Sequence, residues 1–380
     1  MGVFGKIVDK FRNKNNEEKK YLKIAKEHID KAGENLTKEQ IEEMMKLGMD
    51  TRELYPEVSK LYFERIEDYF PPASTMLATF YMDKDDEMYE KYCLKAANQG
   101  ENIAKKSLAI FYAKNNNEEK MLEWYNKLDD KEDYDVLAYM SNYYMFQDNY
   151  DKVKEINFTI LKNKKDDKYA PNCLGDAYFV EGDFENSEKY YKMAADMGYD
   201  DAMFNLAMFY DRQKNYDKEK FYLEKLAAKN QNDAIFQLAI IYRQEGNYQK
   251  ADELYNRLLK EKYQESEVFY NLGVSCYYQK KYDEAEKYFL KAIELGNNDD
   301  PEYNLGILYK VQGKFAQAKK YLIPLAQKGK VDAMINVGAI YRDEKDYSNA
   351  KKYYKMAMDR GSREAEVEYN TILILEEHGL

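Results

Sequence analysis

The sequence predicts an all-α solenoid of about nine helix-turn-helix repeats, and three observations carry that prediction. A leucine-centred pattern recurs every 31 to 34 residues over most of the chain. A tyrosine follows four residues after almost every anchor, which is the spacing of one helix face. Only 6 Pro and 17 Gly punctuate 380 residues, too few for the many turns of an all-β chain.

Residues 1–15 read as an amphipathic helix. On a 100° wheel Val3, Phe4, Ile7, Val8 and Phe11 share one stripe, with Lys6, Asp9, Lys10 and Arg12 outside it. MGVFGKIVDKFRNK carries a local charge of +3 on a chain of net charge -11, which suits either peripheral contact with a membrane or docking on the first hairpins. The Met-Gly start lacks Ser or Thr at position six, so no myristoylation signal is present.

Residues 16–70 form a helical N-terminal segment, with helices expected in NEEKKYLKIAKEHIDKAG, LTKEQIEEMMKLG and EVSKLYFERIEDYF. The second of these is similar to the start of a helix-turn-helix with Gly48 at the turn. Thr37 to Phe70 nevertheless holds nine acids and five bases, a poor surface for phosphate, so a cap on the solenoid is expected instead. Pro71 and Pro72 mark the boundary with the repeats.

The repeats span 71–362. Their anchors are Leu77, Leu108, Met140, Leu174, Leu206, Leu238, Leu272, Leu305 and Val337, with a degenerate tenth at Tyr369. A small residue follows each of the first nine (Ala78, Ala109, Ser141, Gly175, Ala207, Ala239, Gly273, Gly306, Gly338), and lets a neighbouring helix come close. Ten residues after the anchor the later repeats carry an aromatic, such as Tyr216 or Phe315. Glu87 and Glu118 stand there in the first two, whose turns are expected to be built differently. Each repeat is thus a helix hairpin that cannot bury its apolar face alone, and stacking supplies the core. Pro324 falls inside a second helix and predicts a kink rather than a break. Residues 363–380 supply a first helix without a second, a C-terminal capping helix.

Glu267 to Gly296 resembles a tetratricopeptide repeat, with Phe269, Leu272, Gly273, Tyr282, Ala285, Phe289 and Ala292 on signature positions. Cys276 replaces the expected Tyr, and Asn297 stands where the family often has Pro. KAANQGENIAKKSLAIFY and KMAADMGYDDAMFNLAMFY resemble the related Sel-like repeats. The resemblance covers Pro71 to Ser362 and implies a right-handed superhelix that binds a protein or peptide partner. In that family the two residues before the anchor lie on or beside the inner surface. The first of each pair is Phe204, Phe236, Tyr270, Tyr303 and Ile335; the second is Asn205, Gln237, Asn271, Asn304 and Asn336. Members that clamp a terminal carboxylate use Lys at the first place, so the aromatics here argue against that mode. Other members hold a peptide main chain with a ladder of asparagines. The matching amides here are expected to face water in the free protein.

Composition removes several other classes. A balance of 59 basic against 70 acidic residues argues against nucleic acid as a partner. The cysteines Cys93, Cys173 and Cys276 form neither a disulfide framework nor a zinc spacing, as in a reducing, cytoplasmic setting. With His28 and His378 at opposite ends and no phosphate or dinucleotide loop, no metal, cofactor or enzymatic site is expected. The acidic series Asp201, Asp233, Glu267, Asp300 and Asp332 is expected to complement first-helix N-termini, and Trp124 to serve packing. The function so predicted is a protein-interaction scaffold, cytoplasmic or peripheral at the inner membrane surface, with an extended peptide in the concave groove. Two rivals stand beside it: a bacterial regulator whose superhelix changes conformation on binding a peptide, and a membrane-associated assembly factor using the N-terminal helix.

Overall fold

The computed structural model describes residues 3–297 and 299–377, with side chains from 17 to 374 save 298. The described residues form 22 helices and no strand, which makes the protein an all-α repeat solenoid. The chain divides into two compact units, Met1–Tyr199 and Asp200–Leu380.

The first unit holds α1 (Val3–Ala32), α2 (Lys38–Thr51), α3 (Pro56–Ile66), α4 (Pro71–Tyr81), α5 (Asp86–Asn98), α6 (Asn102–Lys114), α7 (Glu118–Asn126), α8 (Tyr134–Phe146), α9 (Tyr150–Asn163), α10 (Tyr169–Glu181) and α11 (Phe184–Asp196). α1 is continuous, so the boundary drawn at residue 15 falls inside one helix. Gly48 is not at a turn: it lies buried within α2, where a Cβ would meet the Phe63 ring of α3 at 2.5 Å. Ser59 of α3 donates to the Gly48 carbonyl at 2.6 Å. The same arrangement recurs in a repeat, where Gly175 faces Tyr191 and Ser187 donates to the Gly175 carbonyl at 3.0 Å. The helix-turn-helix reading therefore fails, and α2–α3 is one more hairpin of the stack, anchored on Leu47.

The second unit holds α12 (Asp200–Arg212), α13 (Tyr216–Ala228), α14 (Asn232–Gln244), α15 (Tyr248–Lys260), α16 (Glu265–Tyr278), α17 (Tyr282–Glu294), α18 (Asp299–Val311), α19 (Phe315–Gln327), α20 (Val331–Asp343), α21 (Tyr347–Met358) and α22 (Arg363–Glu377). α19 runs on through Pro324, and α22 packs on α21 through buried Ala365 and Ile372.

Close approach inside each hairpin is set by the small residue after the anchor. Cβ atoms at Gly273, Gly306 and Gly338 would sit 2.5 to 2.8 Å from Phe289, Leu322 and Tyr354 across the hairpin. In the first unit Ser141 takes the small position and Asn157 the large one, and the Asn157 amide donates to the Ser141 hydroxyl at 2.6 Å. A polar pair thus fills a buried slot with its hydrogen bond made.

Turns within hairpins repeat as well. Eight residues after the anchor the backbone is left-handed, for example at Asn116 (φ 53), Gly246 (φ 76) and Lys280 (φ 60). The next N–H then bonds back to the residue four after the anchor, as Asn117 to Tyr112 and Lys281 to Cys276, which closes the first helix with a Schellman motif. The Glu118 hairpin uses this common turn, contrary to expectation, because Asn117 caps α7 by accepting from the Lys120 N–H at 3.1 Å. The Glu87 hairpin does differ: its left-handed residue is Asp83, six after the anchor.

Neighbouring hairpins are tied by the tyrosines four after the anchor. Tyr144, Tyr242 and Tyr309 donate to Glu118, Glu224 and Glu286 of the preceding hairpin at 3.0, 2.9 and 2.7 Å. Trp124 is buried in α7 with the Lys127 ammonium 4.0 Å from its ring centroid, consistent with a packing role. Among the described residues no helix is long and apolar enough to cross a membrane.

Candidate functional site

The first helices of the second unit carry the residues that the sequence places on the inner surface. α12, α14, α16, α18 and α20 present Phe204/Asn205, Phe236/Gln237, Tyr270/Asn271, Tyr303/Asn304 and Ile335/Asn336 immediately before each buried anchor. All but Asn271 are half-buried, and Asn271 is buried.

These amides do not simply face water. Asn271 donates to the Glu267 carbonyl at 2.9 Å, Asn304 to Asp300 at 3.0 Å and Asn336 to Asp332 at 2.9 Å, each four residues back along its own helix. The amide groups of Asn304 and Asn336 also donate to the Tyr270 and Tyr303 hydroxyls of the preceding first helix, at 3.1 and 3.0 Å. Aromatic and asparagine therefore form brackets between repeats, so the aromatics at these two places are hydrogen-bonded rather than purely apolar. Burial raises both tyrosine pKa values, with Asp300 and Asp332 adding to the rise.

Each bracket leaves a tyrosine donor unused, and the Tyr270–Asn304 bracket leaves an acceptor as well. The Tyr270 and Tyr303 hydroxyls accept from asparagine and donate to no group among the described residues. The Asn304 side-chain carbonyl takes no hydrogen bond from the described residues, whereas that of Asn336 accepts from the Lys310 ammonium at 2.8 Å. Lys310 is half-buried, and desolvation pulls its pKa below the usual lysine value. Next along, Arg342 pairs with Glu368 of α22, where an asparagine would continue the series.

At the other end of the row the pattern loosens. Phe204 and Asn205 line a hollow of about 240 Å³ with Asp201 and Asp233 at its rim. Phe236 packs on Tyr255 and Tyr263, and Gln237 opens on a larger cleft of about 450 Å³. The acidic series occupies first turns as expected, and Asp233 accepts from the Tyr263 hydroxyl.

Sequence reasoning missed Glu219, whose pattern signal was available. Thirteen residues after the anchor the other repeats from the second onward carry Met121, Val153, Ser187, Ala251, Ala285, Ala318 and Ala350, all fully buried. Glu219 occupies that place in α13 and is 5% exposed. Val3, Phe4, Ile7, Val8 and Phe11 lie on α1, but their side chains fall outside the described residues. Cys93, Cys173 and Cys276 are buried thiols whose pKa burial pushes up to about 12, 12 and 11. Among the described residues no cluster of His, Cys, Asp and Glu could hold a metal ion.

Comparison with known proteins bears on the fold. Models described as tetratricopeptide repeat match residues 174–234, 234–269, 266–299 and 331–360. A tetratricopeptide repeat protein from Parabacteroides merdae is 16% identical with a TM-score of 0.47, over 64% of this chain and 100% of that one. The C-terminal part of a repeat protein from Cytophaga hutchinsonii is 17% identical with a TM-score of 0.49, over 60% and 97%. A chain of the APC/C hetero-tetramer Cut9-Hcn1 is 16% identical with a TM-score of 0.46, over 97% and 74%. No curated protein matches the chain in sequence.

Proposed function

Because the chain belongs to the tetratricopeptide repeat family, we propose that it is a protein-interaction scaffold holding an extended peptide or flexible partner segment along the first helices of its second unit. The observation that carries this reading is the bracket series: Tyr270–Asn304 and Tyr303–Asn336 leave tyrosine hydroxyls as donors and the Asn304 carbonyl as an acceptor. A peptide carbonyl would accept from the tyrosine, and a peptide N–H would donate to the asparagine oxygen. The roles differ from a free amide ladder, because the asparagine N–H groups are already committed. Stacked helices lie about 10 Å apart and an extended chain advances about 3.3 Å per residue, so roughly every third ligand residue meets a bracket. Phe204 and Phe236 add apolar contacts to a grip on the main chain that ignores sequence. The acidic net charge of -11 favours a basic partner.

The test is affinity capture with the whole chain, followed by titration of the captured partner against the Tyr270→Phe, Tyr303→Phe double variant. Phenylalanine keeps the ring, so helicity should persist while affinity falls by about 0.5–1.5 kcal/mol per lost hydrogen bond. A partner that binds the variant unchanged, and that protects only the second helices from hydrogen exchange, would refute the reading.

A further inference from the structure

The cleft beside Gln237 is built around a buried acid. It lies among α12, α13 and α14, with Met208, Ile240 and Ile241 as its apolar wall, Asp211 at its edge and Glu219 at its base. Glu219 is 5% exposed, and no hydrogen bond or ion pair reaches its carboxylate among the described residues. An acid buried without a partner is costly, and the other repeats from the second onward avoid the cost with a small or apolar residue at this place. Asp211 also lacks a side-chain partner among the described residues, and the two like charges repel. Glu245 is different, since the Lys220 ammonium neutralises it at 2.6 Å.

We propose that this cleft binds a lysine side chain of the partner segment, its aliphatic stem on Met208, Ile240 and Ile241 and its ammonium between Glu219 and Asp211. A compact ammonium with three donors can serve two separated carboxylates and the Gln237 side-chain oxygen together, and a four-carbon stem matches the apolar wall. This inference deepens the reading of a peptide along the first helices and rests on it, since Gln237 belongs to the same row as Asn205 and Asn271.

Titration supports the same assignment. Burial, with Asp211 beside it, pushes the Glu219 pKa up to about 7. The charged groups facing it are Asp211 from α12, the Lys220-paired Glu245 at the end of α14, and on α13 itself Lys220, with the Tyr216 hydroxyl nearby. An arriving ammonium favours the ionised carboxylate, so binding expels a proton wherever Glu219 is protonated. Affinity for the cation then rises with pH up to about 7 and is level above it.

The experiment uses the full chain and Nα-acetyl-lysine methylamide, followed by ligand-observed NMR at pH 6 and pH 8. The expected result is saturable binding, stronger at pH 8 and absent for the norleucine and Nε-acetyl-lysine analogues. Glu219→Gln should weaken it about tenfold or more, the loss of a charge-assisted hydrogen bond. Asp217→Asn makes the same change in net charge at an exposed site on α13 and should leave binding intact. Equal losses in the two variants would reduce the effect to general electrostatics and overturn the proposal, as would no binding to wild type. Tighter binding of the blocked arginine would overturn the choice of an ammonium. Glu219→Ala, which restores the alanine of the later repeats, keeps the test valid if the glutamine variant folds poorly. The probe needs no peptide main chain, so its failure removes the cleft alone. A partner mapped away from the first helices, with the probe still binding, removes the peptide reading alone.

Discussion

Asn336→Ala should destabilise α20, although a solvated side chain at that place would be dispensable. The substitution deletes the bond to the Tyr303 hydroxyl at 3.0 Å, the bond to the Asp332 carbonyl at 2.9 Å and the acceptor of Lys310 at 2.8 Å. The Asp332 carbonyl lies on exposed helix, so that loss is small. The Lys310 ammonium is half-buried and loses its one side-chain acceptor among the described residues, which costs about 1 kcal/mol or more for a charged donor. The Tyr303 bond adds about 0.5–1.5 kcal/mol, and alanine's better helix propensity returns about 0.5 kcal/mol. A net loss of about 1–2 kcal/mol follows. Tyr303→Phe isolates one bond, and the cycle with Asn336→Ala should give a coupling of about 0.5–1.5 kcal/mol. Because repeat stacks unfold in parts, native-state hydrogen exchange at α18 and α20 is the suitable assay. Additive effects within about 0.3 kcal/mol would refute the bracket as an energetic link.

Glu219 makes stability fall with pH. Its folded pKa of about 7 exceeds the ordinary 4.5, so the unfolded chain ionises first and the folded unit loses stability as pH rises from about 4.5 to about 7. The span is worth about 3 kcal/mol, and Glu219→Ala should flatten it in urea titrations of wild type and variant across that range. Gly273→Ala places a Cβ 2.6 Å from the Phe289 ring and should cost about 1–3 kcal/mol, read as a lower denaturation midpoint. An unchanged midpoint would mean the hairpin can open freely. Lys280→Gly relieves a left-handed residue at φ 60 and should raise local stability by about 0.5–1 kcal/mol, the strain less the added chain entropy. Exchange protection of α16 and α17 would report it.

The helical periodicity of a chain is local, and the local features here were legible from residues alone. The recurrence of Leu206, Ala207 and Tyr210 names the helix face, the close approach and the position of every hairpin from Leu77 onward. Gly48 was misread because Thr51 stands where a tyrosine would have marked the repeat; only packing against Phe63 reveals the hairpin. The place of the asparagines on the first helices followed from spacing, but not what their amides do. The bonds from Asn304 to Tyr270 and from Asn336 to Tyr303 join residues 34 and 33 apart, and depend on the offset and rotation of one helix against the next. Those quantities come from side-chain volumes throughout the stack, which no single repeat encodes. Glu219 joins both levels. Its departure from the alanine of later repeats is visible in the sequence, yet only tertiary packing decides that no cation comes to meet it.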